Sequence, residues 1–172
     1  MTRHLPDILA KDLTVVFIGI NPALSAAIAG HHFVSPSNRF WRVLHLSGFT
    51  PLQIAPQADR SILRYGYGLT AAVDRPTTSA SELARVDFAQ AAERLIRKVR
   101  RWSPRAIAFL GKSAYLGMTQ QKTIQWGQQS LPFADADTWI LPNPSGLNRA
   151  FGVQALVAAY REMRISVGRA NS

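Results

Sequence analysis

The feature that most restricts the fold of this chain is residues 14–22, which read TVVFIGINP. Apolar and mostly β-branched residues run without alternation into Gly19, a pattern typical of a strand buried on both faces in a parallel sheet. Pro22 has no backbone N–H to donate to a sheet, so the strand must end before it. The alanine-rich residues 23–29 suit a helix. The segment therefore predicts a strand, a tight turn and a helix.

Asn21 lies where this predicted strand ends. In open α/β sheets, ligands bind beyond the carboxyl ends of the parallel strands, so a polar side chain there is placed to face a ligand. Asn-Pro is also a common turn pair, and asparagine often caps a helix. From the residues alone, Asn21 either serves a ligand or stabilises only the local backbone.

The rest of the chain repeats this alternation of strands and helices. We predict a helical turn over 5–10, strands over 68–73, 105–111 and 138–141, and helices over 39–47, 57–65, 88–102, 112–118 and 151–163. The polar loop at 77–81 is placed to contact a ligand. The pattern predicts one domain over residues 1–172 with an α/β fold, in which helices flank a mainly parallel central sheet of about four strands in three layers.

The charge of the chain is strongly positive. Among its 172 residues, 20 are Lys or Arg and 10 are Asp or Glu, which gives a formal net charge of +10. Such an excess favours a polyanionic partner, most simply nucleic acid, although a GC-rich genome that favours arginine would produce it too. The outer face of the predicted helix at 88–102 is basic, and it is either solvated or in contact with DNA. Its cations are Arg94, Arg97, Lys98, Arg100 and Arg101.

Composition also excludes several classes of protein. The chain has no cysteine, which excludes disulfides, thiolate metal sites and a cysteine nucleophile. Its four histidines form no spaced ligand set with carboxylates, so we expect no metal. No apolar run approaches the ~20 residues that span a bilayer, and residues 1–11 lack the apolar block of a signal peptide. We therefore expect a cytoplasmic protein without a membrane partner.

Motifs in a fixed order carry a resemblance to a known family. GINP at 19–22 precedes NRFW at 38–41, and NPSGLNR occupies 143–149, with VDRPT at 73–77 and LGK at 110–112 between them. This combination resembles the mismatch-specific uracil-DNA glycosylase and thymine-DNA glycosylase family over nearly the whole chain. The resemblance implies the uracil-DNA glycosylase fold and a monofunctional base excision repair enzyme that needs no cofactor. Its expected partner is double-stranded DNA with a mismatched or damaged base, bound by a monomer at the nucleoid.

Such an enzyme must rotate a nucleotide out of the duplex and then cleave its N-glycosidic bond. By the resemblance, Asn21 is the catalytic residue, and its amide positions the attacking water. Backbone N–H groups at Gly19 and Ile20 would help uracil to depart as an anion.

The resemblance assigns three more residues to the base pocket, each with a structural alternative. Phe33 would stack on the flipped base, or it would pack in the core. Asn38 would read the edge of the pocket, or it would cap the helix that follows. Ala26 would form the wall that faces carbon 5 of the pyrimidine, or it would only pack its own helix.

The second motif of the resemblance would supply a wedge for the DNA stack. Leu147 would be an exposed apolar tip that fills the space left by the flipped base, or it would be a hydrophobic staple of the last helix. Its neighbours would bond the orphaned base, the flipped nucleotide or the phosphates. These neighbours are Asn143, Ser145, Gly146, Asn148 and Arg149.

The base preference stays open at this point. We expect uracil, above all opposite guanine, to be the main substrate. Ala26 stands where some uracil-restricted relatives carry serine. An alanine at this position resembles the thymine-active branch, and it would admit a methyl group. One alternative is the same fold acting on another deaminated or oxidised base. A catalytically silent binder of damaged DNA is another, because an amide is a poor base.

Overall fold

The computed structural model of the protein describes residues 4–170, so residues 1–3 and 171–172 of the predicted domain and N-terminus lie outside it. The sheet has five strands in the order β2-β1-β3-β5-β4, and only β4 is antiparallel to its neighbour. These strands are β1 (Val15–Gly19), β2 (Tyr67–Ala71), β3 (Ala106–Leu110), β4 (Gly127–Gln128) and β5 (Asp137–Leu141). The predicted α/β fold with a mainly parallel sheet is confirmed.

The helices pack on both faces of this sheet. They are α1 (Leu24–Ala29), α2 (Phe40–Leu46), α3 (Arg85–Trp102), α4 (Lys112–Thr119) and α5 (Val153–Arg169), with 3-10 segments at Pro56–Tyr65 and Ala80–Glu82. No helix within residues 4–170 combines the length and the apolar character that crossing a membrane requires.

Strand β1 lies between β2 and β3 and contributes to two hydrophobic layers. Val15 and Phe17 belong to the layer that contains α2 and α5, whereas Val16 and Ile18 belong to the layer that contains α3 and α4. All four side chains are at most 2% exposed. Because water is excluded from both faces, an uninterrupted apolar run is the pattern that such a strand requires.

The carboxyl ends of the parallel strands meet at one edge of the sheet. Gly19 is in register with Ala71 on one side, and Leu110 of β3 is in register with Leu141 of β5. The turns that follow these strands therefore leave the sheet side by side, as the sequence predicted.

Two parts of the secondary structure differ from the prediction. The helical turn predicted over 5–10 is wrong, because this segment is extended and Ile8 exchanges two backbone hydrogen bonds with Leu69, at 2.9 and 2.8 Å. Strand β2 is at the edge of the sheet, so it offers free backbone groups to this segment. Gly68 permits the approach, since a Cβ there would lie 2.5 Å from the Ile8 carbonyl oxygen.

The second difference is the fifth strand. β4 contains only two residues, paired with β5, and a run so short carries no periodicity that a sequence could reveal. The predicted helices are present, with α3 beginning three residues earlier than predicted and the segment predicted as a helix at 57–65 forming 3-10 turns.

Candidate functional site

Two adjoining cavities open at the carboxyl edge of the sheet. The outer cleft has a volume of about 340 Å³ and lies between the end of β1, the polar loop at 77–81 and residues 143–148. The inner recess has a volume of about 60 Å³ and lies between the end of β1, α1, residues 32–35 and the N-terminal segment. The two cavities share five of their lining residues, which are Gly19, Asn21, Ala23, Phe33 and Asn38.

Most of the residues that the sequence singled out lie around these cavities. The outer cleft is lined by Gly19, Ile20, Asn21, Phe33, Asn38, Asn143, Ser145, Leu147 and Asn148. Ala26 lines only the inner recess, where it is 4% exposed. Gly146 and Arg149 line neither cavity, although both belong to the same loop as Leu147.

The side chain of Asn21 is held in one orientation. Its Nδ2 donates to the carbonyl oxygen of Arg75 and to Thr77 Oγ1, both at 2.8 Å, and Thr77 Oγ1 in turn donates to the carbonyl oxygen of Ser79. Since a carbonyl only accepts, the amide nitrogen must face Arg75. Asn21 Oδ1 has no hydrogen-bond partner among the described residues.

Asn21 does not cap a helix. The residue at the start of α1 is Ala23, and no side chain caps that helix. The local role that remains for Asn21 is its hydrogen bonding to the neighbouring loop at 75–77. The Oδ1 atom of Asn21 stays available to a ligand.

Phe33 is packed against the core and also lines both cavities. Its ring stacks on Phe40 with centroids 4.2 Å apart and meets the edge of Trp41 at 6.4 Å, so part of it belongs to the core. The residue also lines both cavities, and its backbone has a positive φ of 54° that turns the loop there. Asn38 Oδ1 accepts a hydrogen bond from the Phe40 N–H at 2.9 Å just before α2, although the residue at the cap position of that helix is Arg39, and Asn38 also lines both cavities.

The loop between β5 and α5, residues 142–152, is organised by its own asparagines. Asn143 Oδ1 accepts from the Ser145 N–H, and Asn148 Nδ2 donates to the Asn143 carbonyl oxygen, both at 2.9 Å. Leu147 projects from this frame with 75% of its surface exposed. The staple alternative for Leu147 is wrong, because its side chain is not packed and α5 begins only at Val153.

Gly146 is required by a close approach within the same loop. A Cβ at this position would lie 2.7 Å from both the Cβ and the carbonyl oxygen of Ser37, which is nearer than real Cβ atoms come. The loop that carries Leu147 is therefore packed against the loop that carries Phe33.

Arg39 belongs to the NRFW motif at 38–41, but the sequence assigned it no role. Its guanidinium donates to four backbone carbonyl oxygens of the 142–152 loop. The acceptors are Phe151 at 2.6 Å, Ser145 at 2.7 Å, Asn148 at 2.9 Å and Pro144 at 3.2 Å. No local pattern indicates this role, because its partners lie more than a hundred residues away.

The inner recess contains buried polar groups that the sequence also did not identify. His32 is 6% exposed, its Nε2–H donates to the carbonyl oxygen of Pro6 at 2.8 Å, and its backbone N–H donates to Asp59. Burial lowers the pKa of the His32 imidazole, and the bond to Pro6 and the nearby Asp59 oppose this shift only in part. His32 is therefore neutral near pH 7.

Comparison with known proteins identifies the family. The sequence model of the Uracil DNA glycosylase superfamily matches residues 6–164. The chain belongs to this superfamily. It is also similar to the solution NMR structure of a candidate uracil DNA glycosylase from Methanosarcina acetivorans, at 19% identity and a TM-score of 0.58, over 95% of this chain and 98% of the other. At that identity the likeness shows the fold alone.

Membership of the uracil-DNA glycosylase superfamily supports a DNA glycosylase function, with DNA as the partner. The positive net charge agrees with a DNA partner, but the cations differ in whether an ion pair within the protein already engages them. On α3, Arg94, Arg97, Lys98 and Arg100 pair with Asp74, Glu93, Asp7 and Asp135. In contrast, Arg149 is exposed and has no ion-pair partner within residues 4–170.

Lys112 is another cation near the carboxyl edge of the sheet. It follows β3 directly, and its Nζ lies 4.5 Å from the ring centroid of Trp126. No group of three or more His, Cys, Asp or Glu in the described part of the chain is arranged to hold a metal ion.

Proposed function

We propose that the protein is a monofunctional DNA glycosylase of the mismatch-specific branch, which removes uracil, and more slowly thymine, from mismatched duplex DNA. The observation that carries this proposal is the fixed amide of Asn21 at the boundary between the outer cleft and the inner recess. A nucleotide with its sugar in the cleft and its base in the recess has its glycosidic bond next to that amide.

In this mechanism, Asn21 Oδ1 accepts a hydrogen bond from a water molecule and aligns its oxygen with C1′ of the sugar. The C1′–N1 bond breaks and its electron pair leaves with the base. The water oxygen then bonds to C1′, and the proton that it releases balances the one taken up by the departed base. Because an amide is too weak a base to ionise water, Asn21 contributes orientation, and bond breaking runs ahead of water attack.

The remaining parts of the cleft supply the other requirements. We assign the backbone N–H groups at Gly19 and Ile20 to the negative charge of the departing base. Phe33 stacks on that base with the part of its ring that is not packed on Phe40. No lysine lines either cavity in the described chain, which favours hydrolysis by water over a Schiff base.

Leu147 acts as the wedge. An exposed leucine costs free energy in water but gains it when it fills the gap in a base stack, which offsets part of the cost of unstacking. Gly146 and Asn148 face the orphaned base, Asn143 contacts the flipped nucleotide, and Arg149 binds a phosphate.

Ala26 sets the tolerance of the recess at carbon 5 of the pyrimidine. Its methyl group is apolar and leaves no hydrogen bond unmade when a thymine methyl approaches, so thymine enters the recess. Uracil stays preferred, because one methyl group changes discrimination only modestly and a G·T pair must still be broken.

The test is cleavage of duplexes that carry one modified base opposite guanine. The protein in excess is incubated with uracil, thymine, hypoxanthine and oxidised-pyrimidine duplexes, and abasic sites are cut with alkali. We expect the fastest cleavage with uracil. Binding without any strand cleavage would instead identify a catalytically silent damage binder, and a borohydride-trapped adduct that Lys112→Ala abolishes would replace the hydrolytic mechanism.

A further inference from the structure

The N-terminal segment brings a carboxylate to the inner recess. Asp7 lies one residue before Ile8, whose pairing with Leu69 ties this segment to the edge of the sheet. The Asp7 residue lines the recess together with Asn21 and Phe33. A pairing of strand-like segments thus places a hydrogen-bond acceptor in the cavity proposed to receive the base.

The Asp7 carboxylate is held in a fixed position and its charge is balanced. Thr70 Oγ1 donates to Oδ1 at 2.7 Å, and Lys98 Nζ lies 2.7 Å from Oδ2. Lys98 reaches the site from α3 with only 19% of its side chain exposed, and it also donates to Thr70 Oγ1 at 3.1 Å. Each carboxylate oxygen keeps a free lone pair, because it accepts up to two hydrogen bonds.

Several other polar groups around the recess are already engaged. His32 Nε2 donates to Pro6, Asn38 Oδ1 accepts from the backbone, and Asp74 pairs with Arg94. Ala71, which also lines the recess, has no polar side-chain atom. Asp7 therefore brings to the recess a fixed carboxylate that can accept a further hydrogen bond.

We propose that Asp7 determines substrate specificity by accepting the ring N3–H of the flipped pyrimidine. This inference rests on the proposed glycosylase function. It defines the substrate class as bases that carry an N–H at ring position 3, which are uracil, thymine and other uracils substituted at carbon 5. Cytosine is rejected, because its N3 carries a lone pair that the carboxylate would repel.

Lys98 has a distinct part in this arrangement. The base leaves with a negative charge, and an unbalanced carboxylate beside it would oppose departure. The ammonium group of Lys98 cancels that charge while leaving the acceptor in place. Lys98 is thus a positioning residue that acts through Asp7.

The test compares uracil with 3-deazauracil, in which a C–H replaces N3–H at nearly the same size. Single-turnover cleavage of both bases opposite guanine is measured for the natural protein and for Asp7→Asn, which keeps the volume of the side chain. We expect the uracil rate to fall by about tenfold or more and the 3-deazauracil rate to stay nearly unchanged. Equal losses on both bases would show that Asp7 serves only the structure and would overturn the proposal.

The matched control is Asp135→Asn, which breaks the exposed ion pair with Arg100 on the same helix and should change neither rate. The role of Lys98 is tested with Lys98→Gln, which should slow both bases, and with the double variant Asp7→Asn/Lys98→Gln, which should cleave 3-deazauracil faster than Lys98→Gln alone. A double variant that is slower than both single variants would contradict charge balancing.

Thermal unfolding of each variant separates loss of fold from loss of recognition. Should Asp7→Asn unfold, Asp7→Glu replaces it, because a longer carboxylate keeps the ion pair but displaces the acceptor and should lower the ratio of uracil to 3-deazauracil cleavage. If the natural protein fails to cleave uracil at all, the proposed function fails. If it cleaves uracil but both Asp7 variants leave the ratio unchanged, only the inference on Asp7 fails.

Discussion

Asn21 and Leu147 both line the outer cleft, but the protein holds them in different ways. Asn21 follows a strand whose first four residues are buried, and its Nδ2 donates two hydrogen bonds to the loop at 75–77. Leu147 makes no comparable side-chain contact and is 75% exposed, while the backbone around it is bonded to Arg39. One region fixes a side chain, and the other fixes a backbone and leaves its side chain free.

This difference follows from what each region is proposed to do. A group that orients water must keep its position to within a fraction of an ångström, since misplacement directly raises the barrier. A wedge must instead enter a stack of bases whose geometry changes as the nucleotide turns, so its backbone must be held in place while its side chain stays free.

The largest expected effect comes from removing the fixed side chain. Asn21→Ala should lower single-turnover cleavage of a G·U duplex by ~2–4 kcal/mol of transition-state stabilisation, because the water loses its orienting partner. Binding to the same duplex should stay within a few-fold of the natural protein, as gel-shift titration would measure. Near-normal cleavage by this variant would remove Asn21 from the mechanism.

The next effect tests whether function depends on the backbone of the wedge loop, which is the loop at 142–152 that carries Leu147. Arg39→Ala removes four hydrogen bonds to that loop, so we expect the free energy of unfolding to fall by about 2–3 kcal/mol and cleavage to slow. The control is Arg42→Ala, at an exposed arginine of α2, the helix that Arg39 directly precedes. It should change neither the free energy of unfolding nor the cleavage rate.

A double-mutant cycle makes this test specific for the wedge. Leu147→Ala should weaken base flipping in the natural protein, as measured with 2-aminopurine next to the uracil. In the Arg39→Ala background it should have much less effect, with a coupling of about 0.5–3 kcal/mol. Fully additive losses would mean that Arg39 stabilises the fold without positioning Leu147.

A smaller effect is expected in the wall of the recess. Ala26→Ser should depress cleavage of G·T more than cleavage of G·U, by ~1–3 kcal/mol, because the hydroxyl crowds the methyl group and loses a hydrogen bond. Ala27→Ser, at a neighbouring buried alanine that lines neither cavity, should not discriminate between the two substrates. Equal losses on G·T and G·U would assign the wall to other residues.

The smallest effect concerns the unpaired cation of the wedge loop. Arg149→Ala should weaken binding to all duplexes alike and reduce the salt slope of log Kd by about one contact. Arg97→Ala, on the ion-paired face of α3, should leave the slope unchanged. A loss of slope in Arg97→Ala without one in Arg149→Ala would move the DNA surface from the wedge loop to α3.

Local patterns were sufficient for much of the fold and the site. The apolar run at 14–19 predicts a strand buried on both faces, and the polar residues that follow the strands predict the edge where the cavities open. Residues of both motifs line the outer cleft together. These features can be read locally, since the run of apolar residues and the turn at Pro22 are both present in the neighbouring sequence.

The contacts that the sequence did not predict are all long-range. Ile8 pairs with Leu69, and Arg39 bonds to residues 105–112 positions away, so neither partner is visible within any local window. Lys98 was grouped with a basic face that is either solvated or in contact with DNA, yet its Nζ lies 2.7 Å from Asp7 at the recess. A helix of period 3.6 places cations on its outer face, but which of them reaches inward depends on the segment that packs beside it.

The sequence by itself determined the alternation of strands and helices and placed Asn21 at the end of β1, at the edge of the sheet where the two cavities open. Only the tertiary structure decided how these residues are held: the amide of Asn21 by Arg75 and Thr77, the wedge loop by Arg39, and the recess by the N-terminal segment. The physical reason is that propensities and apolar patterns are carried by neighbouring residues, whereas hydrogen bonds and ion pairs form between whichever groups the packed chain brings within about 3 Å.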